Sequence, residues 1–294
     1  MTMILPFGPG GSVDVLARAL GVAMAEELNV PVVMDNRPGA SGAIGAAAAA
    51  RAAADGTTLF FGSSSTQSVL PNVRAKLPFD PVSDFTPISL VAEVENALVV
   101  NPAVPAQSLG ELVAYAKANP GKLSYGSFGT GSITHLAAEL FKMAAGVDIV
   151  HVPYKTATDL DVALMGGQLH CAFVTLASSM PHIKSGRLRP LAVSSSQRSP
   201  FLPQVPTTAE AGYPAVIAVS WGALYAPRRM DPALVTRLNA VVRKALEQPQ
   251  VKERFHAVNA RPLPSSPQEL AAYQARDHAR WANVVKTARI EVEG

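Results

Sequence analysis

The sequence predicts an α/β protein built from mostly parallel sheets and organised as two lobes. Three observations carry that prediction. Short apolar runs alternate with helical patterns of about 10–15 residues, the signature of βαβ units. A strand, polar loop and helix grouping occurs in residues 3–75 and again in residues 120–195. A helical tail follows, and its apolar stripe needs a surface to pack on.

Residues 3–7 read as the first strand. The loop Gly8-Pro9-Gly10-Gly11 leads to Ser12, where a helix starts and runs to about Asn29 with Leu16, Leu20, Met24 and Leu28 on one face. Residues 30–35 are the next strand, 36–41 a loop, and a helix follows to Asp55-Gly56. A third strand, 57–62, ends in the polar loop Ser63-Ser64-Ser65-Thr66. Residues 77–105 are punctuated by proline and hold one strand, 97–101. Ser108 and Glu111 form a capping box for a helix that stops at Asn119-Pro120-Gly121. Strands at 122–127, 149–154, 169–175 and 188–194 follow, with a helix ending at Gly146 after the first of them. Residues 215–226 form a long apolar run. The tail holds a helix over 232–248, a short piece from Pro249, and a last helix opened by Ser266, Pro267 and Glu269.

Composition removes several function classes. Of 294 residues, 48% are apolar and 16% charged, which suits a buried core and not a disordered chain. The net charge is only +3, and no run of like charges offers the clustered basic face that nucleic acid needs, so no nucleic-acid partner is expected. Cys171 is the sole cysteine, which excludes an internal disulfide and a zinc site of several thiolates. No histidine pair has metal-ligand spacing, and neither metal nor cofactor is expected. No apolar run approaches the roughly 18 residues that span a bilayer. The opening residues MTMILPF lack the features of a signal peptide.

The candidate chemistry lies in loops between strands and helices. Gly8 to Ser12 combines glycines that let a ligand approach the backbone with a helix start that offers bare N–H groups, or it is a plain tight turn. It matches neither GxGxxG nor the phosphate loop, since no lysine follows the glycines. Ser127, Phe128, Gly129, Thr130, Gly131 and Ser132 form a second loop of hydroxyls and amides suited to a carboxylate. His135, one turn further on, reads as a packing or capping residue or as a functional one. Arg37 is expected to pin its loop to Asp14, and Tyr154 stands at a strand end where it can line a pocket. Serines 12, 127 and 132 lack the setting of a hydrolase nucleophile elbow, and Cys171 falls in an apolar strand where a thiol is inert.

The runs ILPFGPGGSVDVLAR, DNRPGASGAIG, SYGSFGTGSITHLAAELFK, VPYK and GRLRPLAVSS with PTTAEAGYP resemble the Bug family, the TctC-like solute-binding proteins of tripartite tricarboxylate transporters. The resemblance covers nearly the whole chain. It implies a two-lobed periplasmic-binding-protein (type II) fold with a ligand cleft between lobes. Lobe one would comprise residues 1–101 and 222–294, and lobe two residues 102–221. It implies a carboxylate site on Gly8, Pro9, Gly10, Gly11, Ser12, Ser64, Ser65, Thr66, Ser127, Gly129, Thr130, Gly131 and Ser132, with His135, Tyr154, Val174 and Thr175 nearby. The implied partners are a small organic acid and the membrane subunits of the transporter, with the chain a periplasmic monomer that closes over its ligand and catalyses nothing. The alternative is an enzyme on this fold using Cys171 or His135. Three departures matter. Where members often carry Asp-Asn after phenylalanine, Phe173 is followed by Val174-Thr175, which favours a ligand without an ammonium group. Thr156 replaces a glycine and adds a hydroxyl or caps a helix. The family's secretory leader has no counterpart in this sequence.

Overall fold

The computed structural model describes residues 1–129, 131–154 and 157–290. Along the chain come β1 (Thr2–Leu5), α1 (Ser12–Leu28), β2 (Val33–Asn36), a 3-10 turn (Ala40–Gly42), α2 (Ala43–Ala50) and β3 (Thr58–Ser63). A π-helical turn (Ser65–Val69) runs into α3 (Leu70–Val73), then β4 (Phe85–Val94), β5 (Asn96–Val100), α4 (Leu109–Ala118) and β6 (Ser124–Ser127). Next are α5 (Ile133–Ala145), β7 (Val150–Pro153), α6 (Ala157–Met165), β8 (Cys171–Thr175), α7 (Leu176–Lys184) and β9 (Arg189–Val193). The chain ends with β10 (Ser220–Pro227), α8 (Pro232–Glu247), α9 (Pro249–Ala257), β11 (Ala260–Pro262) and α10 (Pro267–Thr287).

Two compact units divide these elements. One holds Met1–Glu93 and Trp221–Asn283, the other Val94–Ser220 and Val284–Ile290. The first crossing was expected near Asn101 and falls between Glu93 and Val94, because β5 pairs with β8 and β9 in the second unit's sheet.

The first unit carries a six-stranded sheet in the order β11-β4-β10-β3-β1-β2. β1 runs parallel to both β2 and β3, while β10 is antiparallel to β3. Met3, Leu5, Leu16, Leu20, Phe60 and Phe61 are fully buried there, each contributing about 1.5–3 kcal/mol by leaving water. The second unit carries a five-stranded sheet, β7-β6-β8-β5-β9. β6 is parallel to β7 and β8, and β5 is antiparallel to β8 and β9. Ala97, Val99, Leu160, Leu164, Ala172 and Val174 form its apolar cluster with α6 and α7.

Several local expectations change. Ser63-Ser64-Ser65-Thr66 is not a loop, since the chain turns helical at Ser64 and continues through the π turn into α3. β4, interrupted in sequence by Pro87, and α7, with Pro181 inside it, were both hidden by proline. The helix starts read from caps are present. Ser108 accepts the Glu111 amide at 3.2 Å, and Ser266 and Glu269 satisfy each other's amides at 2.7 and 3.2 Å. Thr130, Lys155 and Thr156 lie outside the described residues.

Candidate functional site

In the first unit the parallel strands β1, β2 and β3 end at one edge, and each releases the chain into a helical start. The outer side of such strand ends is where open α/β sheets hold ligands. From β1 the chain passes through Gly8, Pro9, Gly10 and Gly11 into α1 at Ser12. Pro9, Gly10 and Gly11 are exposed, and Gly8 and Ser12 are half-buried. Gly10 has φ +85°, and a Cβ built on Gly8, Gly10 or Gly11 meets no atom within 4 Å. Gly11 caps α1 in extended conformation and supplies no side-chain hydrogen bond, so the first-turn amides of this 17-residue helix point outward with the positive end of its dipole.

Asp14 holds that loop in shape. It is 4% exposed and accepts hydrogen bonds from Gly10 N at 3.0 Å, Arg18 Nε at 2.8 Å and Asn36 Nδ2 at 3.0 Å. Asn36 Nδ2 also donates to Phe7 O at 2.9 Å, which ties the end of β2 to the same loop. The Arg18 guanidinium is the main cause that holds the Asp14 carboxyl at about 2. Arg37, expected to pair with Asp14, bonds Asp35 at 2.8 Å instead, because Arg18 already occupies that carboxylate from one turn along α1.

The neighbouring starts are packed against this loop. A Cβ on Gly42, at φ +95°, would come within 2.7 Å of Thr66 Cγ2 and 3.1 Å of Pro6 Cβ. Ala40 and Ser41 take the left-handed conformation, φ 49° and 56°, which costs about 1 kcal/mol or more per residue. Ser65 is half-buried, whereas Ser64 and Thr66 are buried. The Thr66 hydroxyl lies 3.1 Å from Ser63 N and 3.2 Å from Ser63 O, so it braces the turn internally.

In the second unit β6, β7 and β8 likewise end at one edge. Ser127, Gly129, Gly131, Ser132, His135, Tyr154 and Thr175 gather there, but four described amides of the loop are bonded within this segment. Phe128 N donates to Thr134 Oγ1, Gly129 N to Ser127 Oγ, Gly131 N to His135 Nδ1 and Ser132 N to Gly129 O, all at 3.1–3.2 Å. Ser132 caps α5 by accepting His135 N at 3.2 Å. These amides are therefore not bare, in contrast with the start of α1. Thr175 caps α7 without a side-chain bond to the helix amides, so this helix start resembles that of α1. Tyr154 is half-buried against the apolar cluster.

Burial withdraws the Val174 side chain from ligand contact and the Cys171 thiol from the alternative enzyme reading. The Val174 side chain is fully buried in the apolar cluster, on the sheet face opposite Phe173 and Thr175. Cys171 is 1% exposed and burial pushes its thiol up to about 12, which leaves no thiolate for chemistry. Burial, and then the neighbouring His151 ring, push His135 down to about 4.

Residues 16–290 match the family model described as the tripartite tricarboxylate transporter family receptor. The chain belongs to the tripartite tricarboxylate transporter receptor family. It is 40% identical to protein BugT of Bordetella pertussis over 285 residues, 97% of this chain and 87% of the relative. The structure of R. palustris Rpa4515 with adipate superposes with a TM-score of 0.89 at 37% identity, covering 99% of this chain and 97% of that one. MatC from Rhodopseudomonas palustris, with bound malate, superposes at 0.84 and 31% identity, covering 97% and 98%. The receptor family has the periplasmic-binding-protein fold that the motifs implied, and it is a family of solute-binding receptors.

The sequence reading of this receptor site missed three features. Asp14 is expected as the partner of Arg37, whereas it bonds Gly10 N and Arg18, the latter one turn later on α1, a spacing visible in the sequence. The left-handed Ala40 and Ser41 carry no residue signal, since neither type favours that conformation. His151 belongs to none of the sequence motifs that carry candidate chemistry. Only the β6–β7 register, which sets Tyr125 opposite it, places it beside Ser127.

Proposed function

We propose that this protein captures a small organic acid lacking an ammonium group in the periplasm and delivers it to the membrane subunits of a tripartite tricarboxylate-type transporter. The observation that supports this reading is the uncapped start of α1. There, exposed Gly10 and Gly11 front outward-pointing amides at the edge where three strands end. Amides and a helix dipole favour an anion without supplying a full countercharge, which suits a carboxylate that must also be released. Adipate and malate in the structures of two relatives fit the same chemistry. The carboxylate of Asp14, in the first turn of α1, already pairs with Arg18, and that of Asp35 on β2 with Arg37, so neither is left free for an ammonium group. The ligand would drive closure of a single-chain receptor by binding the closed state more tightly.

A thermal-shift panel of mono-, di- and tricarboxylates, with aspartate and glutamate as ammonium-bearing controls, tests the reading. A ligand at about 100 times its Kd adds roughly 2.7 kcal/mol of stability. Small-angle scattering should show compaction with the same acid. The reading fails if no acid shifts the transition, and its specificity fails if the amino acids alone do.

A further inference from the structure

The stacked histidines of the second unit hydrogen-bond Ser127 and Gly131, two residues that the resemblance assigned to the carboxylate site. The parallel register sets Tyr125 opposite His151, and α5 lays His135 over the same face. The two imidazoles stack with centroids 4.3 Å apart and planes inclined by 29°, and Tyr125 stacks on His151 at 4.9 Å.

Hydrogen bonds tie both rings to the chain around them. Ser127 Oγ accepts Gly129 N at 3.2 Å, and its single proton is directed at Gly129 O at 3.2 Å or at His151 Nε2 at 2.6 Å. Ser127 is fully buried, so this serine–histidine pair is a brace and not a nucleophile. His135 Nδ1 accepts Gly131 N at 3.2 Å, which it can do only while that nitrogen carries no proton. His135 is 5% exposed, and the groups facing it are Tyr125 from β6, His151 from β7, and Glu139 and Lys142 from its own helix. Glu139 and Lys142 pair with each other at 2.8 Å, and Tyr125 OH donates to Glu139 at 2.6 Å. The remaining neighbours are neutral, so nothing else in the cluster compensates a charge on the ring.

We propose that His135 is the positioning residue of Gly131 at the entrance to α5: its unprotonated Nδ1 latches the Gly131 amide, and proton uptake by the ring opens the latch. The proposal rests on the reading of this loop as part of the ligand site. Two substitutions separate the acceptor from the ring. In His135→Asn the side-chain oxygen stands where Nδ1 stood and does not titrate, while His135→Phe keeps a ring for the stack and removes the acceptor.

Hydrogen exchange of the Gly131 amide, corrected for intrinsic rate, reads the latch without any ligand. Wild-type protection should fall by about tenfold or more between neutral pH and pH 3.5, with its midpoint near 4, while Leu140 inside α5 stays protected. His135→Asn should hold its protection over that range, and His135→Phe should lack it already at pH 7. Flat wild-type protection over the range, or equal protection in His135→Phe at pH 7, overturns the proposal. Calorimetry with adipate on the same proteins probes the underlying reading. If neither adipate nor any acid of the panel binds, the carboxylate reading falls while the exchange profile still decides the latch.

Discussion

Replacing Asp14 by Asn tests whether the α1 entrance is built as described. Asparagine has the shape of the protonated acid, so the carboxyl's displacement from 3.8 to about 2 measures what the charge contributes to folding. The difference of about 1.8 units, at 1.36 kcal/mol per unit, gives a ceiling of about 2.4 kcal/mol. Arg18 is the chief cause, and its side chain is 51% exposed, so solvent screening lowers the expected loss to about 1.5 kcal/mol. The sign follows from the depressed value. The contribution is complete above the unfolded value near 3.8 and is lost as pH falls through about 2. Urea unfolding of the two proteins should therefore show a gap of about 1.5 kcal/mol that is constant from pH 8 to pH 5 and narrows near pH 3. The gap should also shrink in about 1 M salt, because its main component is an ion pair with an exposed partner. A gap below about 0.5 kcal/mol at pH 7, or one as large at pH 3, would falsify the role given to this carboxylate.

Three other substitutions bear on the remaining structure. Ser12→Pro removes one first-turn amide at a position where proline suits a helix, and Gly11 already has the φ −75°, ψ 169° that a following proline requires. Stability should change by less than about 0.5 kcal/mol while affinity for the bound acid drops about tenfold or more, as calorimetry would measure; unchanged affinity removes that amide from the site. Val174→Asp places an unpaired carboxylate in the apolar cluster and should cost more than about 3 kcal/mol in denaturant unfolding. A stable variant that binds aspartate would instead put position 174 at the ligand. His135 is depressed from 6.5 to about 4, so the unfolded chain takes up the proton first. Wild-type stability should drain by about 2 kcal/mol more than that of His135→Asn between pH 7.5 and pH 5, and parallel curves would refute the buried neutral ring.

Much of the fold could be read from the sequence because helix starts and parallel strands leave local marks. Ser108, Ser132 and Ser266 each stand at a helix entrance and accept the amide their position demands. The elements that escaped were those whose local signal opposes their tertiary setting. Pro87 lies inside β4 and Pro181 inside α7, and in each case packing overrides a residue that locally argues against the element. The sheets are mixed because β5 runs against β8 and β9, and β10 against β3, a fact of long-range pairing that no local pattern encodes. The site divides in the same way. That Gly8 to Ser12 would form a strand-to-helix entrance was legible in the glycines, but what holds it, Asp14 with Asn36 of β2, spans 22 residues.

The two glycine-rich entrances look alike in sequence and differ in chemistry because of one residue type at the cap. Gly11 has no side chain, so the first turn of α1 has no donor taken by its cap. At the corresponding place in the second unit Ser132 caps α5, and Thr134 and His135 take two further loop amides. An anion approaching the first entrance meets amides already oriented by Asp14 behind the loop. One approaching the second must displace a bond of about 1 kcal/mol to take the amide of Phe128, Gly129, Gly131, Ser132 or His135. Affinity for the anion should therefore reside mainly at α1, while the 127–132 loop responds to shape and to the protonation of His135. A double substitution would expose that division. Ser12→Pro and His135→Phe should each change affinity independently if the entrances act separately, with their effects on binding adding to within about 0.5 kcal/mol. A larger coupling would refute that independence.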